Sequence, residues 1–375
     1  MTETPEWHRD WMPELRDAPP WLMQEMIEAQ PALARDIAAL DVSAVAQLVR
    51  AAAEADAPIV VTGCGTSEHG AQGIAEQLRE ALPATARVEA RQAFEASLDP
   101  RAGGVCLAVS HDGGTRATIA AMRAAADAGA TTAVVTAMPG EAAASTAASA
   151  LVTPLRDRSW CHTVGYLSPL VTGAAIAAAV RGVALDGEAV RSTVAAGICA
   201  REAAAAVARN LHGTRQIITT GSGADRIAAR ELALKVEEGV HLASVARTLE
   251  TVLHGHFAAC DETTGLVLIA ADPRACDARA GRASSLLRAS RRIGMRCAAI
   301  LSPAYDAAID PDLTDAGRVV VAAGDMLSPA TAALLLTATP LQLVTLELAH
   351  LAGRNPDLIG RDREAWREAA ALVES

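Results

Sequence analysis

"PIVVTGCG", residues 58–65, is a continuous apolar run that ends in two glycines and leads into an alanine-rich segment of helical character. Three more runs of this kind follow: "GGVCLAVS" (103–110), "TTAVVTAM" (131–138) and "ALVTPL" (150–155). Strands apolar on both faces that alternate with helices mark a parallel sheet covered on both sides. The series then returns as "RQIITTGSG" (215–223), "TGLVLIAADP" (264–273), "RCAAILS" (296–302) and "RVVVAAG" (318–324). Gly65 recurs as Gly223, Ser110 as about Ala271, and the "LSP" at 167 as the "LSP" at 327. A period of roughly 160 residues predicts two copies of one α/β domain, joined near "VALDGEAVRS" (183–192). Residues 21–53 carry apolar side chains at helical spacing with a break at Pro31, which predicts two or three opening helices.

With 375 residues, 51% of them apolar, the chain can bury the core of one large or two medium domains. Its net charge of -11 and the lack of a basic stripe argue against nucleic acid or an anionic membrane as partner. A small molecule or a second copy is expected instead. The seven cysteines are odd in number and form no C-x-x-C pair, which predicts reduced thiols with neither a disulfide framework nor a zinc site. The first twenty residues have no apolar core of a secretory signal, and the apolar stretches at 167–180 and 328–353 are interrupted by Gly173, Pro340 and Glu347. A cytoplasmic location with no membrane span is therefore expected.

In "VTGCGTSEHG" (61–70) a strand enters a glycine turn and then a helix, which aims backbone N–H groups at whatever sits above the sheet. A dinucleotide fingerprint needs glycine where Glu68 stands, so a nicotinamide cofactor is not expected; the plainer alternative is a tight turn without a ligand. "VSHDGGTRAT" (109–118) repeats the arrangement at the next strand end, with Ser110 and Thr115. Two hydroxyl-bearing loops at neighbouring C-terminal strand ends lie where open parallel sheets bind ligands. The matching turn of the second half, "ADPRACD" (271–277), has neither glycine nor hydroxyl, so only the first half is expected to cradle an anion.

The chain's 33 basic residues comprise a single lysine, Lys235, and 32 arginines. In "ELALKVEE", Glu231, Lys235 and Glu238 fall at i, i+4 and i+7, on one face of a helix. The residues alone admit a solvated ion pair or a tunable ammonium held beside a carboxylate for proton transfer. "ETVLHGHF" (250–257) supplies His254 and His256 with no supporting ligand at metal spacing, so an acid–base histidine is expected before a metal site. "SWCHTVGY" (159–166) gathers Trp160, Cys161, His162 and Tyr166 in a chain with 2% aromatic residues, which reads as a pocket wall. A Cys161–His162 nucleophile pair is disfavoured, because neighbours on an extended segment point apart.

In this order along residues 21–356, these features resemble the double-SIS (sugar isomerase) family, in particular the isomerase half of glutamine-fructose-6-phosphate aminotransferase and stand-alone phosphosugar isomerases and deaminases. "WLMQEMIEAQP" is similar to the family's opening, "GCGTS" (63–67) to its first phosphosugar loop, and "SHDGGT" (110–115) to its "SQSGET". "ELALKVEE" resembles "EGALKLKE", "LHG" (253–255) resembles "KHGP", and the tail "TPLQLVTLELAHLAGRNPD" is similar to the family's "PLQLLAYHVAxxxGxNPD".

The resemblance implies two tandem SIS domains, each a five-stranded parallel sheet flanked by helices in a flavodoxin-like three-layer sandwich. The implied segments are N-terminal helices at 1–55, a first SIS domain at 56–186, a second at 187–353 and a helical tail at 354–375. It implies a phosphosugar aldose–ketose isomerase or amino-sugar-phosphate deaminase acting through an enediol, without a metal or other cofactor. The substrate would meet Thr66, Ser67, Ser110, His111, Asp112 and Thr115. Glu238 would be the acid/base, Lys235 its helix neighbour, and His254 the ring-opening group, reaching in from the second subunit of a homodimer. A deglycase of a sugar-amine conjugate and a non-catalytic sugar-phosphate-binding regulator are the alternatives. The glutaminase domain is not seen in the chain, and the family's imine-forming C-terminal lysine has no counterpart. Asp112 stands where a phosphate-binding serine is usual, and needs Arg116 or another cation to offset its charge.

Overall fold

The computed structural model describes residues 5–374; residues 1–4 and 375, at the ends of the first and last expected segments, lie outside the described residues. Among the described residues, ten strands form two sheets. The first holds β1 (Ile59–Gly63), β2 (Val88–Gln92), β3 (Val105–Val109), β4 (Thr131–Thr136) and β5 (Ser149–Val152) in the order β2-β1-β3-β4-β5. The second holds β6 (Gln216–Gly221), β7 (Ser244–Thr248), β8 (Thr264–Ala270), β9 (Arg296–Leu301) and β10 (Gly317–Val320). Its order, read from β7, is β7-β6-β8-β9-β10, the order of the first sheet with each strand replaced by its counterpart. Every pairing is parallel. Two parallel five-stranded sheets flanked by helices are thus the architecture.

The central strands β1, β3 and β8 are buried along their whole length, as their unbroken apolar runs require. Of the four edge strands, β5 and β10 coincide with apolar runs, and β2 and β7 are the ones those runs do not reveal. β2 reads "VEARQ" and β7 reads "SVART"; both are largely half-buried, and each has one strand neighbour, so neither needs a continuous apolar sequence.

The segment 21–53 forms two helices, Leu22–Ala38 and Ser43–Glu54. Pro31 lies inside the first and does not divide it: Met26, Ile27, Leu33, Ala34 and Ile37 bury one face on both sides of the proline, and that packing offsets the lost backbone bond. The two "LSP" stretches are not counterparts. Leu167–Pro169 lies within the helix Val164–Val180, whereas Pro329 starts the helix Pro329–Leu351, which has its own interior proline at Pro340. Both helices are apolar all round and buried, so they join the two halves through one core that includes Tyr166, Leu170, Leu334 and Leu341. Pro329–Leu351 is the one described helix long and apolar enough to cross a membrane, and 89% of its apolar window is buried here.

Candidate active site

The loop after β1 turns through Gly65, whose φ of 56° and ψ of -129° suit glycine alone. A Cβ at Gly63 would sit 2.5 Å from the Ser67 carbonyl oxygen, so the glycine lets the helix Thr66–Ala81 begin hard against its strand. No side chain caps that helix or the helix Arg116–Asp127, which starts after the β3 loop. The two loops line one cleft of about 1070 Å³ through Thr66, Ser67, His111, Asp112, Gly114 and Thr115. Helix N-termini set beside hydroxyls favour an anion.

The same cleft is lined by Glu238. The helix Asp225–Lys235 widens into a π-helical turn, Val236–Val240, that carries it. Lys235 is fully buried, with its Nζ 2.5 Å from Glu238 Oε2 and 3.5 Å from Glu231 Oε1. Glu231, also fully buried, accepts a hydrogen bond from the Thr66 hydroxyl (3.2 Å) and lies 2.6 Å from His69 Nδ1. Within the triad only Glu238 opens outward, its side chain 22% exposed. Burial acts on all three groups. It pushes the Glu238 carboxyl above its ordinary value despite the ammonium beside it. On Lys235 burial favours neutrality, but Glu238 and Glu231 outweigh it and hold the side chain as an ammonium. Burial would raise Glu231 too, yet Lys235 and the His69 and Thr66 hydrogen bonds hold it below the usual carboxylate range. The lone lysine is therefore an internal charge that fixes two carboxylates, only one of which opens outward.

At the β3 loop, Asp112 meets Arg156 (Nε to Oδ1, 2.9 Å) and His162 (3.7 Å). Arg156 thus stands as a cation beside Asp112, and Arg116 lines the cleft at the next helix start. Burial raises the Asp112 carboxyl, but His162, His111 and Arg156 together bring it below its ordinary value. His111 Nε2 accepts the Asp157 backbone N–H (2.8 Å), which places its proton on Nδ1. Burial and each other's proximity lower the His111 pKa to about 4; burial and Lys235 lower that of His162 to about 4, so both rings are neutral at pH 7. Asp157 organises the loop behind them by accepting the N–H groups of Ser159, Thr163 and Gly165.

Of the expected site residues, Thr66, Ser67, His111, Asp112, Thr115 and Glu238 border the cleft, and Lys235 lies behind Glu238. The Thr66 hydroxyl is spent on Glu231. Ser110 is buried beneath the loop, its Oγ without a protein partner. His254 is on the surface, 70% exposed and 2.7 Å from Glu250, and is not brought to Glu238 by its own chain. Trp160 and His162 are pocket wall as expected, whereas Cys161 and Tyr166 belong to the core. His69, Arg156, Trp11 and Arg361 went unread. The i, i+3 spacing of Thr66 and His69 marks one helix face and is a usable signal; the others are joined to the site only by tertiary folding.

The equivalent loop after β6 is filled by its own charges. Asp225, at the position of Ser67, accepts the N–H groups of Ala271 and Asp272 (2.9 and 3.0 Å). Asp272 in turn binds Ala224 N and pairs with Arg274 (2.6 Å) and Arg279 (2.9 Å). A Cβ at Gly223 would lie 2.4 Å from Asp272 Oδ2, whereas one at Gly65 would meet nothing within 4 Å.

Residues 53–180 match the model of the SIS domain family. No curated protein matches the sequence. Solved structures with the same fold include the C-terminal domain of glucosamine-fructose-6-phosphate aminotransferase from Francisella tularensis (TM-score 0.77, 16% identity, covering 92% of this chain and 99% of that one). Another is tagatose-6-phosphate ketose/aldose isomerase from Escherichia coli (0.74, 20%, 94% and 98%). A third is glucosamine-6-phosphate deaminase from Thermotoga maritima (0.63, 17%, 90% and 96%).

Proposed function

We propose, on the premise that residues 53–180 are a SIS domain and that the second sheet repeats its architecture, that the chain is a phosphosugar isomerase or amino-sugar-phosphate deaminase. The observation that carries this reading is the placement of Glu238. It is the one outward-facing carboxylate of a buried Glu–Lys–Glu triad, and it lines the same cleft as two uncapped helix N-termini. The phosphate would rest on the 66–67 and 110–115 loops, where the Arg156 guanidinium offsets the charge of Asp112. Glu238 would take the C2 proton of the open-chain aldose and return it to C1, giving the ketose. If C2 carries an amine, the same transfer leaves an imine that water cleaves to ketose and ammonia. Lys235 keeps Glu238 oriented, and burial lifts its pKa toward the range where it can both accept and return a proton. His254 would serve ring opening in the site of a second copy, as its exposed position on this chain permits.

A second reading, cleavage of a sugar-amine conjugate, is favoured by the extension of the cleft beyond the loops to Trp11, Trp160 and Arg361, the last of which lies 4.9 Å above the Trp160 ring. A panel of hexose 6-phosphates, amino-sugar 6-phosphates, their conjugates and the unphosphorylated analogues separates these readings by thermal shift and turnover. Turnover of a phosphorylated member is expected, with a loss of about 10²- to 10⁴-fold in Glu238→Gln. Full activity of that variant would refute the proton-transfer role.

A further inference from the structure

We propose that the cleft between the edge strands β2 and β7 is a second anion site, built for a small condensed phosphate. Four arginines from three elements converge there: Arg79 from the helix Thr66–Ala81, Arg226 and Arg230 from the helix Asp225–Lys235, and Arg247 from β7. The cleft has a volume of about 330 Å³ and shares no lining residue with the candidate active site.

Charge there is not balanced. Arg230 pairs with Glu68 at 2.9 Å, while Arg79 (3.4 Å) and Arg226 (3.9 Å) share Glu76, which is also held by Arg274 at 3.0 Å. Arg247 donates a hydrogen bond to the Ala246 carbonyl at 3.2 Å. Four guanidinium groups thus face two carboxylates in a chain whose net charge is -11. Such a concentration of one sign in a recess raises the local concentration of counter-ions.

The walls define the ligand. Ala90 of β2 and Ala246 of β7 give the cleft small side chains, and the remaining lining residues, Gln72 and Thr248, supply neutral polar groups. Guanidinium forks match phosphoryl and carboxylate oxygens two at a time. The lining has no aromatic ring on which a nucleobase could stack. Several guanidinium groups around a short recess fit two or three linked phosphoryl groups better than a single one.

The test is calorimetric titration of the full chain with orthophosphate, pyrophosphate, tripolyphosphate and citrate, with thermal melts confirming that each variant folds. Pyrophosphate or tripolyphosphate should bind once per chain, about tenfold tighter than orthophosphate, and weaken as salt rises. The double variant Arg226→Gln/Arg247→Gln should lose about tenfold or more, whereas Arg191→Gln/Arg209→Gln, an equal charge change elsewhere, should lose nothing. The site is refuted if no saturable binding occurs, or if Ser67→Ala weakens binding and the arginine pair does not, which would put the anion in the first-domain loops. Equal affinity for citrate would overturn the phosphoryl assignment. A changed sedimentation mass in the double variant with unchanged binding would make the cleft a contact between copies instead.

Discussion

The loops after β1 and β6 begin alike and end differently. In both, a glycine closing the strand allows the next helix to start against it: a Cβ at Gly63 or at Gly221 would lie 2.5 Å from the carbonyl oxygen four residues on. Beyond that point the first loop has open space at Gly65 and the side chain of Ser67, and the second has Asp225 holding the Ala271 and Asp272 N–H groups and Asp272 locked to Arg274 and Arg279. One backbone scaffold therefore borders an open cleft where its side chains are small and neutral, and forms an internal strut where they are charged and paired. The second half contributes to the cleft through the helix after β6, which carries Lys235 and Glu238.

Substitutions can break this contrast. The largest stability effect is expected at the junction of the halves: Lys235→Met leaves Glu231 buried without its cation and should cost about 3–5 kcal/mol in chemical denaturation. Unchanged stability would mean that the triad is not charged. In the second loop, Asp272→Asn should cost about 1–3 kcal/mol and leave KM unaltered, since its charges are paired with Arg274 and Arg279 away from the proposed substrate loops. In the first loop, Ser67→Ala should do the reverse, raising KM by about five- to tenfold with stability within about 0.5 kcal/mol. A KM effect from Asp272→Asn equal to that of Ser67→Ala would erase the distinction.

A further effect is a pH dependence. Burial lifts the Asp225 carboxyl to about 7, against an ordinary value of 3.8. The folded state then holds a proton that the unfolded chain releases, so this group's contribution is full below about pH 4 and is lost as pH rises through 7. Asp225→Asn should flatten the stability profile between pH 4 and 7, measured by denaturation at each pH. Ser67→Ala should leave that slope in place.

Much of the architecture was legible because the central strands are buried on both faces and so read as unbroken apolar runs. The edge strands β2 and β7 were not, since "VEARQ" and "SVART" each bury only part of their surface. The opening proline misled for a related reason: packing on both sides of Pro31 overrides a local preference. At the site, the i, i+4, i+7 spacing of Glu231, Lys235 and Glu238 identified a face that the structure brings to the cleft. Arg156 reaches Asp112 across 44 residues of sequence, and Trp11 meets Trp160 with ring centroids 5.8 Å apart; no local pattern encodes either meeting. The single lysine was a compositional clue, and its complete burial between two carboxylates supplies the physical reason for a compact ammonium there.

The central claim is that Glu238 carries the proton between carbons of a sugar bound at the first-domain loops. Turnover in deuterium oxide, followed by NMR at C1 and C2 of the sugar phosphate that gives turnover, tests it most directly. The expected result is deuterium entering at those carbons with the native chain, and no incorporation with Glu238→Gln while that variant still binds the same ligand by thermal shift. Incorporation at the native rate in Glu238→Gln would contradict the account.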